Sequence, residues 1–202
     1  DYAAKSQTTA YYRGGSNEIG RAGYFYANTY ALDTRPTWEM EALTLHEAMP
    51  GHHLQISLAQ ELPETHPLIQ NLSYTGFIEG WGLYAESLGD EMGFYQDPYN
   101  KFGQLSYEMW RAVRLVVDTG MHLYRWDRQR AIDFFASNTA KSMHDIEVEI
   151  DRYISWPGQA LAYKIGELKF KQMRAIAPRE LGDTVDVRSF HEALLEQGAL
   201  PL

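Results

Sequence analysis

The run His46-Glu47-Ala48-Met49-Pro50-Gly51-His52-His53 places three imidazoles and a carboxylate within one short segment. Those groups suit the hydrolysis of an unreactive amide. Water is a poor nucleophile and the amide carbonyl a poor electrophile until a zinc ion with an open position activates both, and a nearby carboxylate then takes the proton. In the common arrangement, two histidines four residues apart on one helix hold the metal, and the glutamate after the first is the base. Here Pro50 stands at the fourth position after His46, so that spacing fails. At about 100° per residue, a regular helix turns His52 roughly 240° from His46; His53 returns to the same face but lies about 10 Å along the axis. Pro50-Gly51 offers a remedy. Proline gives up an interior hydrogen bond and glycine accepts unusual dihedrals, so a bulge there can draw a later histidine back. His52 is the preferred second ligand and His53 its rival. A third ligand is expected from Thr75–Glu86, where Glu79 and Glu86 lie seven apart on one helical face among Phe77, Ile78, Trp81, Leu83 and Tyr84. A carboxylate buried there needs a metal or a cation. Glu79 is assigned to the metal and Glu86 to orienting a histidine.

These groups need helices to hold them, and the chain supplies them. Trp38 to Gln60 reads as helical with a kink at Pro50-Gly51, and Glu61 to Pro67 as a loop. Leu68 to Met92, Tyr99 to Tyr124, Asp127 to Ser137, Asn138 to Tyr153 and Gln159 to Ile176 read as further helices, the last stopped at Ala177-Pro178. Ser189 to Glu196 forms a final short helix. Ala22 to Tyr30 is the one strand-like stretch, aromatic and β-branched enough for one or two short strands. The expected fold is mainly α: one domain over 1–202, with a strand and loop lead-in over 1–37.

Composition narrows the function classes. Of 202 residues, 45% are hydrophobic and 22% charged, as in ordinary globular domains. A formal net charge of −9 with no basic run argues against a nucleic-acid partner. No apolar stretch approaches the roughly 18–20 residues of a membrane span. The absence of cysteine excludes disulfides, thiolate ligands and a thiol nucleophile, and leaves the compartment open between cytoplasm and periplasm.

The segments HEAMPGHHLQ, EGWGLYAE, RAVRLVVDTGMH and WPGQALAYKIG together resemble the bacterial domain-of-unknown-function family 885 over nearly the whole chain. That resemblance implies the C-terminal catalytic part of a longer protein, with an N-terminal portion as its partner. The family in turn is similar to helical zinc peptidases of the oligopeptidase and thermostable carboxypeptidase groups, which implies a zincin-like domain. The two-residue insertion before Gly51-His52 departs from their motif. By the same resemblance, Tyr163 in the WPGQALAYKIG segment is the phenol that touches the substrate and the tetrahedral intermediate.

The expectation is a zinc-dependent peptidase with one Zn²⁺ on His46, His52 and Glu79, and Glu47 as general base. An oxyanion needs a fixed donor beyond the metal, and Tyr163, His122 and Arg114 have that chemistry. Arg111, Arg114, Asp118 and His122 share a helical face, and the arginines suit a substrate carboxylate. The aromatic stretch Tyr24 to Asn28 is expected to align a peptide by edge pairing. Against these stand plainer readings: His122 as a packed core histidine, and the arginines as partners of Asp118 or Glu108. Two other functions also remain, a zinc hydrolase of a non-peptide amide or ester and a non-catalytic binding domain with a relic metal site.

Overall fold

The computed structural model describes residues 4–16, 19–62, 72–182 and 186–202. It is mainly helical, with two short antiparallel strands near the N-terminus. The longest helix, here α4 (Pro98–His122), starts where Asp97 accepts a hydrogen bond from the Tyr99 amide and Pro98 takes the first turn. Its Tyr107, Trp110, Arg111, Arg114, Val117, Asp118 and Met121 follow steps of three and four and are all buried. Against this stripe pack α1 (Met40–Glu47), α5 (Arg128–Asn138) and α6 (Met143–Ser155). Leu45, Tyr107, Trp110, Val117, Phe135 and Ile150 form much of the resulting core. A second cluster, of Phe77, Trp81, Tyr84, Leu88, Phe170 and Leu195, joins α3 (Thr75–Leu88), α7 (Ala162–Leu181) and α8 (Val187–Leu195).

Helix α3 runs through the interior with almost every residue from Gly80 to Leu88 buried, as a helix covered on all sides requires. Its glycines explain how it fits. A Cβ on Gly80 would meet the backbone of Gly166, and one on Gly166 would strike the Gly76 carbonyl, so α3 and α7 cross at backbone distance. No described helix is long and apolar enough to cross a membrane.

Five elements differ from expectation. The break at Pro50-Gly51 is complete: α1 ends at Glu47 and α2 (His52–Glu61) begins afresh. Strand β2 (Tyr24–Ala27) lies in the expected stretch, but it pairs with β1 (Ala10–Arg13), which carries no strand signal beyond two tyrosines; Tyr11 stacks on Tyr26 across the pair. Pro178 sits inside α7 rather than ending it. The helix continues for one more turn to Gly182, whose φ of 80° suits glycine. Helix α6 starts at Met143, because Ser142 caps it through the Asp145 amide. The expected loop from Glu61 and the helix start at Leu68 fall mainly outside the described residues, as does His66; α3 begins at Thr75 and ends at Leu88, short of Met92.

Candidate metal centre

The break between α1 and α2 is what brings two histidines together. Ala48 leaves the helical region at φ −103° and ψ −113°. The His53 amide then reaches back five residues to the Ala48 carbonyl at 3.2 Å, one residue longer than an α turn. Gly51 lies so close to the Leu45 and His46 carbonyls that no side chain fits there. The Trp81 indole donates to the Pro50 carbonyl at 2.8 Å and ties the break to α3.

As a result His46, His52 and Glu79 each offer a ligand atom, all within 4.8 Å of one another. The two Nε2 atoms lie 3.5 and 3.2 Å from Glu79 Oε2. That oxygen is buried and has no hydrogen-bond partner among the described residues, so the three groups approach closely without donor-to-acceptor alignment. Three lone-pair donors facing one point, with a buried oxygen otherwise unsatisfied, fit a tetrahedral cation such as zinc with a fourth position open. Glu47 lines the same 470 Å³ cavity, and its Oε2 is likewise buried without a partner.

The electrostatics favour a cation. Burial disfavours a charged His46, but the Glu79, Glu86 and Glu47 carboxylates outweigh it and lift the imidazole pKa to about 9. Glu79 is held well below the usual carboxylate range despite its burial, by the two imidazoles beside it.

Behind the donors stands a supporting layer. His46 Nδ1 bonds Glu86 Oε1 at 2.7 Å, which leaves Nε2 free to face the cavity. Glu86 in turn pairs with Arg111 at 2.9 Å. Gly82 makes room for the ring, since a Cβ there would come within 2.7 Å of His46 Cε1. Glu86→Gln keeps an acceptor for Nδ1–H but removes the charge. It should weaken zinc binding about 10- to 100-fold in a chelator competition and lower the melting temperature by leaving Arg111 unpaired. An unchanged zinc affinity would reduce Glu86 to the partner of Arg111.

The remaining candidates divide. His53 turns away from the cluster and bonds the Tyr12 hydroxyl at 2.8 Å, pinning β1 to α2. Tyr163 lines the cavity with its ring nearly parallel to that of His46, 6.1 Å between centroids. Its hydroxyl accepts from Gln159 at 3.3 Å and Arg152 at 3.2 Å, so its own proton is free to donate. Arg111 and Arg114 are in the cavity wall but engaged, Arg111 by Glu86 and Arg114 by Glu149 at 2.8 Å.

Two candidates are corrected. His122 is exposed at the far end of α4, bonded to the Tyr153 carbonyl at 3.0 Å and outside the cavity lining. It shares a face with Arg111, but eleven residues of helix put it about 16 Å along the axis. Tyr24 is 52% exposed on the outer strand, and the cavity is lined instead by Ser6 to Tyr12, including most of β1. Sequence reasoning missed Gln159, whose amide reaches Glu79 Oε1 at 3.4 Å, and Arg152, which bonds Gln159 Oε1 at 2.8 Å. The glycine at φ 82° in Trp156-Pro157-Gly158 turns the chain so that Gln159 enters the site, a signal visible in the sequence.

Comparison with known proteins supplies kinship without an activity. The DUF885 family, described as bacterial protein of unknown function, matches residues 1–202. A solved structure described as "the putative lipoprotein from Colwellia psychrerythraea" is 39% identical, with a TM-score of 0.95 over 99% of this chain. A "putative lipoprotein of unknown function from Shewanella oneidensis" shares the fold at 21% identity and a TM-score of 0.78 over 96% of the chain. The chain spans 34% and 37% of the lengths of these two proteins. No curated protein matches it.

Proposed function

The chain belongs to DUF885, a bacterial family of unknown function, and we propose that it carries the catalytic centre of a zinc-dependent hydrolase that cleaves peptide bonds. The observation that carries this reading is the convergence of His46, His52 and Glu79 within 4.8 Å, in a cavity also lined by Glu47, whose buried Oε2 has no partner among the described residues. A zinc ion held by those three residues would supply a Lewis acid that polarises a carbonyl and eases the deprotonation of water.

The chain's own groups do the rest. Glu47 takes a proton from water as the water oxygen adds to the carbonyl carbon, then passes it to the departing nitrogen as the C–N bond breaks. The second water proton, shed as the new carboxyl group ionises, ends on the amine, so the products are a carboxylate and an ammonium. Tyr163, its hydroxyl oriented by Gln159 and Arg152, donates to the oxyanion that forms in between. Glu86 holds the His46 ring in place throughout.

The two strands favour a peptide over a compact amide. The Asn28 amide donates to the Thr9 carbonyl, which sets the alternation so that Tyr11 and Arg13 bond to β2 while the backbone groups of Ala10 and Tyr12 point away from it. This edge, whose Ala10 carbonyl takes only a local bond from the Thr8 hydroxyl at 3.0 Å, lies in the cavity wall and suits an extended chain. The description of the Colwellia relative as a "putative lipoprotein" supports a lipid-anchored, periplasmic setting for the full-length protein.

The test is turnover of a mixed peptide library by the full-length zinc-loaded protein, read as new amino termini. Cleavage should stop with a zinc chelator and return with zinc. Metal bound without cleavage would favour the binding-domain reading, and cleavage of simple esters or amides without peptides would move the substrate class.

A further inference from the structure

We infer that the cavity selects substrates carrying a free carboxylate, which the Arg114–Arg152 pair anchors within about two residues of the bond to be cut. The inference rests on the hydrolase reading above and names the substrate feature that the site recognises.

Three arginines, Arg111, Arg114 and Arg152, line the cavity. Arg111 is matched by Glu86. Arg114 and Arg152 share one carboxylate, as Glu149 Oε2 takes Arg114 Nη2 at 2.8 Å and Arg152 Nη1 at 3.4 Å. Asp118, one turn further along α4, accepts from the Gly158 amide instead. The second nitrogen of Arg152 bonds two neutral groups, Gln159 and the Tyr163 hydroxyl. Arg114 Nη1 is buried with no partner among the described residues.

Guanidinium cannot shed its proton at any ordinary pH. A buried excess cation therefore calls for an anion, and the cavity is where one can enter. Only the Arg152 side chain, 22% exposed, is open to solvent, so it makes the first contact. Arg152 Nη1, bonded only to Glu149, and Arg114 Nη1 leave one donor on each arginine, and two donors together match the two oxygens of a carboxylate.

The position of the pair sets the register. One side chain, Gln159, spans from Arg152 to the metal ligand Glu79, which places the arginine within roughly 8 Å of that carboxylate by ordinary hydrogen-bond geometry. An extended chain advances about 3.5 Å per residue. A substrate whose carbonyl sits at the metal thus presents its terminal carboxylate to Arg152 one or two residues later.

Binding can be measured apart from turnover. Full-length Glu47→Gln, loaded with zinc, is immobilised and exposed to pooled N-acetyl tripeptides as free acids and as C-terminal amides, and retained peptides are quantified by mass spectrometry. Free acids should be retained at least tenfold better, a preference lost in Arg152→Gln and partly restored in Arg152→Lys. Equal retention, or none, overturns the inference. So does a preference that survives Arg152→Gln but disappears on removing the metal, because the metal would then be holding the carboxylate. Failure of the hydrolase reading shows separately, as absent turnover by the wild type.

Discussion

Glu47→Gln should leave zinc content at the wild-type level and lower kcat on a cleaved peptide by roughly 10²- to 10⁴-fold, the range for loss of a general base. The substitution is nearly isosteric, and Glu47 contributes no ligand atom to the cluster of His46, His52 and Glu79, so the metal has no reason to leave. The Glu47 side chain also takes part in no ion pair with Lys or Arg among the described residues. Its Oε2 makes no hydrogen bond among the described residues, whereas Glu86 and Glu149 are both tied to arginines. A buried carboxylate oxygen with nothing to accept from is costly to keep, and in the proposed reaction the water to be deprotonated would be its partner. KM should change little, because the proton moves only in the transition state. A fall in kcat of less than about tenfold would make Glu47 a polar wall of the cavity and return the base to another residue.

How far the sequence reaches depends on how local each relation is. His46, Glu47, His52, Glu79 and Glu86 were legible because each lies within a short motif, and helical periodicity links Glu79 to Glu86 directly. The choice between His52 and His53 was not, because it turns on the shape of residues 48–51. An intact helix with a bulge and two separate helices satisfy the same residues; what distinguishes them is tertiary, the close approach of Gly51 to the Leu45 and His46 carbonyls and the Trp81 indole bond to the Pro50 carbonyl. His122 shows the limit of periodicity from the other side. A helical wheel states which face a residue shares but not where along the axis the site lies, and α4 is long enough for one face to serve both the cavity and the distant Tyr153 carbonyl.

Strand β1 and Gln159 escaped the sequence for a related reason. Nothing in Ala10–Arg13 alone reads as a strand; its pairing with Tyr24–Ala27 is set by the partner and by the Tyr11–Tyr26 stack. Gln159 meets Glu79 across 80 positions of sequence. A neutral amide has no pattern of its own that announces such a contact. What the sequence did contain was the cause, a Pro-Gly turn and the glycines at 76, 80 and 166 that let α7 approach α3 closely enough for Gln159 to arrive.

Zinc content measured by elemental analysis should fall from about one per chain to near none in His46→Ala, His52→Ala and Glu79→Ala, and stay near one in His53→Ala. Each of the first three removes one of three protein donors, and a three-donor site cannot be rebuilt from two donors and water with comparable affinity. Neither Glu86 nor His53 offers a replacement. Glu86 is committed to His46 and Arg111, and His53 is committed to the Tyr12 hydroxyl. The separation of neighbours matters most here, because His52 and His53 are identical in chemistry and adjacent in sequence, so a general loss of imidazole or of helix propensity would act on both alike. His53→Ala should instead release β1, lowering the melting temperature modestly and raising KM for peptides through the loosened strand edge. If His53→Ala empties the site and His52→Ala does not, α2 begins one residue differently from its placement here and the cavity's donors must be reassigned. If both variants keep zinc, the metal is held elsewhere and Glu47 loses its role with it.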